Sequence, residues 1–346
     1  FAKIQKFMIG PDYIVYRLTG NIQTDYCEAS TSSLCDLKTG AWSEEIRRLL
    51  EFPRDIYPEI KGTCEVCGTV TKQWQEKFHF KQDVKVLTGT GDNPAAAIAT
   101  GCFAKGYPVL SLGTSGVLMY PKKKINFEVK GKNILFSMDG KDVLILVQGV
   151  VQSTGSSLAW WVKNTLQADD FMEETTGVDL KHLGENELMF YPHLVGDKTI
   201  YQDPELRGSF VGIGTDTTRK EMTIAVMEGI AFAVKQLVSV MGVSKEELAR
   251  LKVTGGGAKN EVWMQILADV LNTKVEQLES GAGAGYGIAL CAAVAGDENL
   301  SMNDLIEQTV SIKNTFIPRQ YNRELYEQKY QKYLRVYDAL KHIYQE

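Results

Sequence analysis

Apolar residues along the chain follow two spacings, one typical of strands and one typical of helices. Short apolar runs that end at glycine predict one strand before the turn in KVLTGTG, and a pair of strands in each of YPVLSLGTSGVLMYP and NILFSMDGKDVLILVQGV. Apolar residues three and four apart predict amphipathic helices in WSEEIRRLLEF, where Ser43 is the expected N-cap, and in EVWMQILADVLN. Strands and helices alternate through most of the chain, which favours an α/β fold.

The positions of glycine and proline, together with local composition, predict further helices. PDYIVYRLTG should end at Gly20, and NPAAAIATGCFAKG should close at Gly106. Residues 221–242 are apolar nearly all round, which indicates a buried helix. The tail 322–344 is a charged amphipathic helix. Four of its tyrosines stand at the helical spacing that is typical of packing: Tyr326, Tyr330, Tyr333 and Tyr337.

Composition indicates an ordinary folded protein without a nucleic-acid or membrane partner. The 346 residues are enough for two domains of about 100–200 residues each. Apolar residues make up 44% and charged residues 23%, which is ordinary for a soluble domain, and the net charge of −5 is mild. No Lys/Arg run exceeds the three lysines at 122–124, so we expect no nucleic-acid binding. Apolar stretches fall short of the roughly 18 residues that a membrane helix needs.

The six cysteines predict reduced thiols. Cys64 and Cys67 form a CxxC pair, but a zinc site needs four ligands, and the sequence offers no second pair, with His79 as the nearest histidine. The sequence shows no secretory leader, so we expect a cytoplasmic protein whose cysteines act as small buried hydrophobic residues.

Three turns combine glycine with hydroxyl residues. They lie at 89–91, directly before Asp92; at 113–116, the tip of a predicted hairpin; and at 254–257, between a strand and a helix. Because glycine has no side chain, backbone N–H groups at such turns can converge on an anion, and the hydroxyls add donors. A helix start adds positive potential. Three such turns in one α/β chain suit a polyphosphate, although each alone could be an ordinary tight turn.

Other nucleotide and catalytic motifs are absent or incomplete. The GxxxxGK[ST] phosphate loop is missing, and GTSG is one residue short of a GxSxG nucleophile elbow. Residues 255–260 follow a predicted strand, and Glu276 stands about 20 residues on, as in a dinucleotide-binding fingerprint. Asn260 occupies the place of the last glycine, however. Dinucleotide binding therefore remains open as an alternative.

Five stretches together resemble the FGGY family of sugar kinases: GTGDNPAAAIATG, SLGTSGVL, RGSFVGIGTDTTRKEMTIAVMEGIAFAV, TGGGAKNEVWMQILADVLNTKV and GAGAGYGIALCAAVAG. The segment from Gly208 to Glu228 is similar to the family's second signature, and DYIVYRLTGNIQTDYCEASTSSLCDLKTGAWS is similar to its xylulokinase branch. The resemblance covers nearly the whole chain. It implies an α/β fold of the actin/hexokinase-like (ribonuclease H-like) ATPase type. The implied reaction transfers a phosphoryl group from ATP, with Mg²⁺, to a sugar hydroxyl, most simply that of D-xylulose.

The resemblance also assigns site residues. Asp92 matches the catalytic base, which accepts the proton of the attacking hydroxyl, and Asn93 matches a sugar-contacting neighbour. The glycine turn would give Asp92 access to a cleft, and the alanine helix behind it would allow close packing. Asn93 has an alternative role as the N-cap of that helix. The implied nucleotide contacts are Gly113, Thr114, Ser115, Gly155, Gly255, Gly256, Gly257 and Asn260.

The chain begins without Met, and we expect the family's N-terminal part to be missing. That part carries the first phosphate hairpin with a Mg-linked Asp, the first signature and most sugar contacts, so no metal ligand is assigned. Residues 1–103 are expected to be a remnant of the sugar-binding lobe, which makes the first lobe incomplete. Residues 104–346 are expected to be the complete nucleotide-binding lobe, and the chain alone should be weak or inactive. GDKT at 196–199 also departs from the GERTP-like stretch of xylulokinases.

Two alternatives to a xylulokinase stay open. Another acceptor within the family, such as gluconate, ribulose, fuculose or glycerol, fits the same motifs. A non-catalytic ATP-binding module of the same fold would have no need of Asp92. The expected partners are a small-molecule sugar and, by analogy with the family, a second copy of the chain in a homodimer.

Overall fold

The computed structural model describes residues 3–81, 84–279 and 283–344. The strands, in chain order, are β1 (Gln23–Asp25), β2 (Cys35–Asp36), β3 (Ala41–Trp42), β4 (Glu59–Lys61), β5 (Val66–Thr69), β6 (Lys85–Leu87), β7 (Val109–Leu112), β8 (Gly116–Lys122), β9 (Lys132–Phe136), β10 (Leu144–Val151), β11 (Met189–Tyr191), β12 (Ser209–Val211), β13 (Arg250–Thr254), β14 (Lys274–Leu278) and β15 (Ile312–Phe316). The helices are α1 (Gly10–Thr19), α2 (Tyr26–Thr31), α3 (Glu44–Leu49), α4 (Lys72–Phe78), α5 (Asp92–Ala99), α6 (Cys102–Lys105), α7 (Gly155–Ala159), α8 (Arg219–Val240), α9 (Glu261–Leu271), α10 (Ala284–Gly296), α11 (Met302–Thr309) and α12 (Gln320–Tyr344). A π-helical turn, Trp160–Thr165, continues α7.

Seven strands form one mixed sheet in the order β15-β14-β13-β7-β8-β10-β9. β7, β8, β10 and β9 are antiparallel neighbours, whereas β13 is parallel to both β7 and β14. The predicted hairpin is confirmed, because Leu112 of β7 pairs with Gly116 of β8 and leaves residues 113–115 as its tip. Parallel strands end at the same edge of a sheet, so the tip after β7 and the loop after β13 lie side by side.

The buried helix predicted at 221–242 is α8, which packs against the sheet, α9 and α12. By length and composition alone, α8 is long and apolar enough to cross a membrane, but most of its residues are buried in the core. Its buried Glu228 accepts hydrogen bonds from Tyr326 and Lys329 of α12. Tyr326, Tyr330 and Tyr333 of the tyrosine stripe are buried, so the packing role predicted for the stripe is confirmed.

The described residues up to 99, which we call the N-terminal region, contain three small ladders: β1–β4, β2–β3 and β5–β6. As predicted, α1 ends at Gly20 in a left-handed conformation (φ 81°), and Ser43 caps α3 by accepting a hydrogen bond from Ile46 N at 3.2 Å. The region packs on the edge strand β9, where Leu135 N donates to Ser30 Oγ at 3.0 Å. The N-terminal region is therefore joined to the large sheet along its side.

The helix expected to run on to Gly106 is broken, which corrects the sequence prediction. α5 ends at Ala99 with Thr100 as its C-cap, Gly101 takes a left-handed backbone (φ 68°), and the short α6 follows. The Thr100 carbonyl accepts a hydrogen bond from Lys252 Nζ of β13 at 2.8 Å. A left-handed residue ends a run of helical hydrogen bonds, and a Cβ at position 101 would lie 2.6 Å from Ile306 Cγ2, so glycine is required at this break.

α5 and α10 pack nearly backbone to backbone. A Cβ added to Gly287 of α10 would lie only 1.9 Å from Ala95 O of α5. The small residues of both helices make this approach possible, as the alanine run predicts. Residues 281–282 of the small-residue stretch lie outside the described residues, and α10 begins at Ala284.

Gly287→Ala should destabilise the protein by about 1–3 kcal/mol, because the added methyl group must push α10 away from Ala95. Gly285→Ala is the matched control on the same helix. Gly285 is exposed, and none of the described atoms lies within 4 Å of an added Cβ, so alanine should raise the free energy of unfolding by about 0.5–1 kcal/mol. Urea unfolding of both variants measures the difference. Equal stability of the two would contradict the close contact.

Candidate active site

The tip of the β7–β8 hairpin is held against the start of α7. Gly113 O accepts hydrogen bonds from Gly155 N at 2.9 Å and Thr154 Oγ1 at 3.1 Å. Thr114 O accepts hydrogen bonds from Thr154 N at 3.2 Å and Ser156 N at 3.0 Å. The two carbonyl groups are thus engaged behind the tip, while the Thr114 side chain stays exposed.

Close backbone contacts require glycine at two of the predicted positions. A Cβ on Gly155 would lie 2.4 Å from Gly113 O. Gly255 has φ 98°, and a Cβ there would lie 2.7 Å from Leu112 O. The loops after β7, β10 and β13 are therefore packed against one another through their backbones, and together they form one site.

A cavity of about 730 Å³ lies where these loops meet. Six of the predicted nucleotide contacts line it: Gly113, Thr114, Gly155, Gly256, Gly257 and Asn260. Gly255 lines a second cavity of about 760 Å³, which shares Gly256 and Lys259 with the first. Within the described part of the chain, Ser115 belongs to the hairpin tip but lines neither cavity.

Apolar side chains form much of the wall of the first cavity, and the sequence analysis did not single them out. They include Leu158, Trp160, Phe171, Met172 and Trp263. Lys163 also lines the cavity and lies 5.4 Å from the centroid of the Phe171 ring. The available signal was spacing: Ser156, Trp160 and Lys163 stand four and three residues apart and share one face of the helix that starts at Gly155. An apolar slot beside backbone donors suits a nucleotide base.

Asn260 lies in the cavity wall with its side chain engaged elsewhere. Its Oδ1 accepts a hydrogen bond from Trp263 N at 3.0 Å and caps α9, and its Nδ2 donates to Thr175 Oγ1 at 3.0 Å. The Asn260 side chain therefore holds the loop in place. The preceding Lys259, which the sequence analysis passed over, is exposed and lines both cavities. It brings positive charge to the glycine turn.

Asp92 is the first residue of α5, and its side chain is exposed. Its Oδ1 accepts a hydrogen bond from Asn93 N at 2.7 Å, and it makes no ion pair with any described residue. The N-cap of α5 is Gly91, so the alternative role of Asn93 as the N-cap is wrong. A carboxylate in the first turn is favoured by the helix dipole and needs no buried partner.

One face of α5 lines the second cavity. Asp92, Ala96 and Thr100 stand four residues apart and share this face. Ala96 and Thr100 line the second cavity together with Gly255 and Gly256. At 1.5 Å per residue, Asp92 lies about 6 Å beyond Ala96 along the helix. The face that carries Asp92 thus stands across the cavity from the third glycine turn.

Two further acids lie behind the Asp92 turn. Asp25 caps α2 by accepting a hydrogen bond from Glu28 N at 2.9 Å, and it is 2% exposed. Burial raises the pKa of Asp25 from 3.8 to about 7, although hydrogen bonds from Thr90 and the α2 backbone act to lower it. Burial also raises the pKa of Glu28, and the charges of Asp12 and Asp92 add to that effect. These acids hold protons more tightly than free carboxyl groups.

Two family models match the chain. The FGGY family of carbohydrate kinases is matched by its N-terminal domain over residues 1–99 and by its C-terminal domain over residues 109–296. The chain belongs to the FGGY family of carbohydrate kinases. The resemblance found in the motifs is confirmed, and the enzyme is a carbohydrate kinase. The loop at 255–260 is part of an FGGY domain, which removes the support for a dinucleotide-binding fingerprint.

Curated relatives of this FGGY kinase include xylulose kinases. The xylulose kinase of Lactococcus lactis is 33% identical over 97% of this chain and 67% of its own length. The xylulose kinase of Bacillus subtilis is 30% identical over 99% of this chain and 67% of its own length. A crystal structure of xylulose kinase from Rhodospirillum rubrum superposes with a TM-score of 0.87 at 25% identity, over 100% of this chain and 70% of that one. The actin/hexokinase-like ATPase fold expected from the sequence is that of these neighbours.

The expectation that the family's N-terminal part is missing, and the first lobe incomplete, is wrong. The N-terminal domain of the FGGY family matches residues 1–99, so both domains of the family are represented. A phosphate hairpin was the expected mark of that domain. The matched region instead consists of small ladders and short helices that pack on β9. The weak activity expected of the chain rested on the same premise. The chain spans about two thirds of the length of the curated relatives named above.

The raised pKa of Asp25 predicts a pH-dependent contribution to stability. Between pH 4 and 7 the folded state keeps the Asp25 proton that the unfolded state has lost, so this contribution is complete below pH 4 and is lost as the pH rises through 7. Asp25→Asn keeps an N-cap acceptor and never ionises. Between pH 4 and pH 8, its free energy of unfolding should rise relative to the native protein by roughly 3–4 kcal/mol.

Urea unfolding at both pH values measures the effect. Asp304→Asn, at an exposed position in the first turn of α11, is the matched control. A difference between native protein and Asp25→Asn that stays constant from pH 4 to pH 8 would contradict the raised pKa.

Proposed function

We propose that the protein transfers the γ-phosphoryl group of ATP to a hydroxyl of D-xylulose and forms D-xylulose 5-phosphate. The observation that carries the proposal is that the loops after β7, β10 and β13 meet at the first cavity. The face of α5 that carries Asp92 stands across the second cavity, which adjoins the first. Membership of the FGGY family of carbohydrate kinases and the similarity to xylulose kinases supply the acceptor class. Such a crevice between two elements suits a reaction that depends on positioning.

The first cavity is the proposed ATP site. Its apolar wall, with Trp160 and Phe171, would hold the base, while the loops at 113–115, 155 and 255–257 would bring backbone N–H groups to the phosphates. Gly256 fits this role well: among the described residues no atom lies within 4 Å of an added Cβ, so a ligand can approach its backbone. Asn260 would act by shaping the loop.

Asp92 is the proposed catalytic base, and Asn93 the proposed sugar contact. Asp92 is exposed at the end of the cavity-facing side of α5 and makes no ion pair with a described residue, so its carboxylate is available to a substrate hydroxyl. In the reaction, the hydroxyl oxygen attacks the γ-phosphorus, its proton passes to an Asp92 oxygen, and ADP leaves. Asn93, half-buried in the same turn of helix, would orient the sugar.

Mg²⁺ is the proposed companion of ATP and would neutralise charge on the phosphates. Among the described residues there is no group of three or more His, Cys, Asp or Glu side chains that could hold a metal ion. No residue of this chain is therefore assigned to the ion. We place the boundary between the two lobes at residues 103 and 104, with the sugar side before it and the nucleotide side in 104–346.

A substrate panel tests the proposed acceptor. With MgATP and the full-length protein, a coupled ADP assay should show turnover of about 1–100 per second with D-xylulose. Gluconate, ribulose, fuculose and glycerol should give kcat/KM values lower by at least tenfold. A higher kcat/KM for one of these would replace D-xylulose as the substrate. ATP binding without turnover of any acceptor would favour the binding-only alternative.

Asp92→Asn should lower kcat by about 10²–10⁴-fold, because an amide cannot accept the hydroxyl proton. ATP affinity, measured by calorimetry, should change less than threefold, since Asp92 lies outside the residues that line the first cavity in the described chain. Asp304→Asn, an exposed first-turn acid on α11, is the matched control and should retain full turnover. Retained turnover in Asp92→Asn would show that the base lies elsewhere.

A further inference from the structure

Two cysteines from different domains of the family meet beneath the active site. Cys64 lies between β4 and β5 in the N-terminal region, and Cys291 lies on α10 in the C-terminal domain. The two thiols share a hydrogen bond. Both belong to an apolar cluster that includes Ile98 of α5 and Leu290 of α10. This contact therefore bridges the two domains on the far side of α5.

The backbone around Cys64 carries the turn that leads to Asp92. Thr63 O accepts a hydrogen bond from Gly89 N at 3.1 Å, and Glu65 O accepts one from Thr88 N at 3.0 Å. Cys64 N in turn donates to Met138 O of the C-terminal domain at 2.9 Å. The backbone on either side of Cys64 thus holds the first glycine turn, so Cys64 lies within the segment that supports the Asp92 turn.

We propose that Cys64 and Cys291 form a reversible disulfide that ties the support of the Asp92 turn to α10. All six cysteines lie in the described residues and are free thiols, so the structure represents the reduced state. The formation of this bond does not depend on the proposed function. Its effect on turnover rests on that function.

The reactivity of the pair follows from its hydrogen bond. That bond lowers the pKa of the Cys64 thiol, whereas the Cys291 pKa is raised by the hydrogen bond and by burial. Cys64 is half-buried, and the other five cysteines are buried. Burial raises the pKa of each thiol outside the pair as well: Cys27, Cys35, Cys67 and Cys102. The thiolate is the reactive form, so Cys64 is the cysteine that an oxidant reaches first.

The oxidant in the proposal is a low-molecular-weight disulfide such as oxidised glutathione. The Cys64 thiolate attacks one sulfur of the oxidant, forms a mixed disulfide and releases one glutathione thiolate. The Cys291 sulfur then attacks Cys64 Sγ, its proton passes to solvent, and the second glutathione leaves. The protein loses two thiol hydrogens and two electrons, and one glutathione disulfide becomes two glutathione thiols. Reversible disulfides of reduced compartments are typical of redox-sensing sites.

A covalent link at this place should slow the enzyme. Kinases of two lobes close on their substrates, and α5 and α10 are the helices in contact beneath the crevice. Cys291 stands four residues after Gly287, so it lies on the same face of α10 that touches α5. The bond would fix α10 to the residues that hold the Asp92 turn. The expected effect of oxidation is a fall in turnover of at least tenfold that a dithiol reverses.

The test exposes the full-length protein to glutathione buffers of increasing oxidised fraction, followed by alkylation, proteolysis and mass spectrometry. The Cys64 and Cys291 peptides should become linked, and the other four cysteines should be alkylated. Cys64→Ser and Cys291→Ser should lose the link. Cys67→Ser is the matched control, since it removes the CxxC partner, and it should keep the link and lose activity on oxidation like the native protein. If Cys291→Ser is unstable, Cys64→Ser and Cys67→Ser together decide the assignment: a bond between Cys64 and Cys291 is lost in the first variant, at a half-buried position, and kept in the second.

Three outcomes would overturn the proposal. They are a bond between Cys64 and Cys67, a glutathione that remains on Cys64 without transfer to Cys291, and the absence of any thiol loss. A quantitative link with unchanged turnover would overturn the restraint on the Asp92 turn. A protein with no sugar-kinase turnover in the reduced state would refute the proposed function instead, and peptide mapping would still decide the disulfide.

Discussion

The contact between α5 and α10 is the constraint on which the site depends. The two helices approach so closely that Ala95 O occupies the space a side chain at Gly287 would need. This contact fixes the direction of α5, and α5 begins with Asp92 and presents Ala96 to the second cavity. A helix with larger side chains would stand further from α10 and carry Asp92 away from the glycine loop after β13. If Asp92 is the base, as proposed, the alanine run serves to position it, because effective phosphoryl transfer requires atoms placed within a fraction of an ångström.

The surroundings of Asp92 separate one exposed acid from several buried ones. Asp25 is almost fully buried, and the neutral form is the one that its surroundings favour. If it ionised freely, its charge and that of Glu28 would add to the negative potential behind a site proposed to bind a triphosphate. The proton that burial favours on Asp25 reduces that repulsion, while Lys163 and Lys259 add positive charge at the proposed nucleotide site. The arrangement leaves Asp92, exposed at a helix start, as the acid available for the proposed contact with the substrate.

Local patterns predicted local features well. The hairpin around 113–115, the left-handed Gly20, the Ser43 cap and the buried α8 depend on neighbouring residues, and each was predictable from the sequence. Features that depend on long-range contacts were not predictable from the sequence. The break at Gly101 packs against Ile306, which is distant in sequence, and the Asn260 side chain is engaged by Thr175. The aromatic wall around Trp160 was missed because helical spacing alone does not tell a core face from a cavity face. Residues 1–103 were assigned to the sugar-binding lobe but only as a remnant, because ladders of two to four residues leave a weak periodic signal.

The Cys64–Cys291 contact also joins residues that are distant in sequence, and its importance goes beyond packing. A buried thiol inside one domain would be a small hydrophobic residue, and the sequence analysis gave all six cysteines that role. Here the two sulfur atoms lie across the contact between two family domains, and the carbonyls beside Cys64 hold the turn of the proposed base. Phosphoryl transfer gains most of its rate from positioning and electrostatic stabilisation. Restraint of the backbone that supports the proposed base would therefore affect the positioning on which the rate depends. A bond at this place can therefore control turnover without touching substrate or nucleotide.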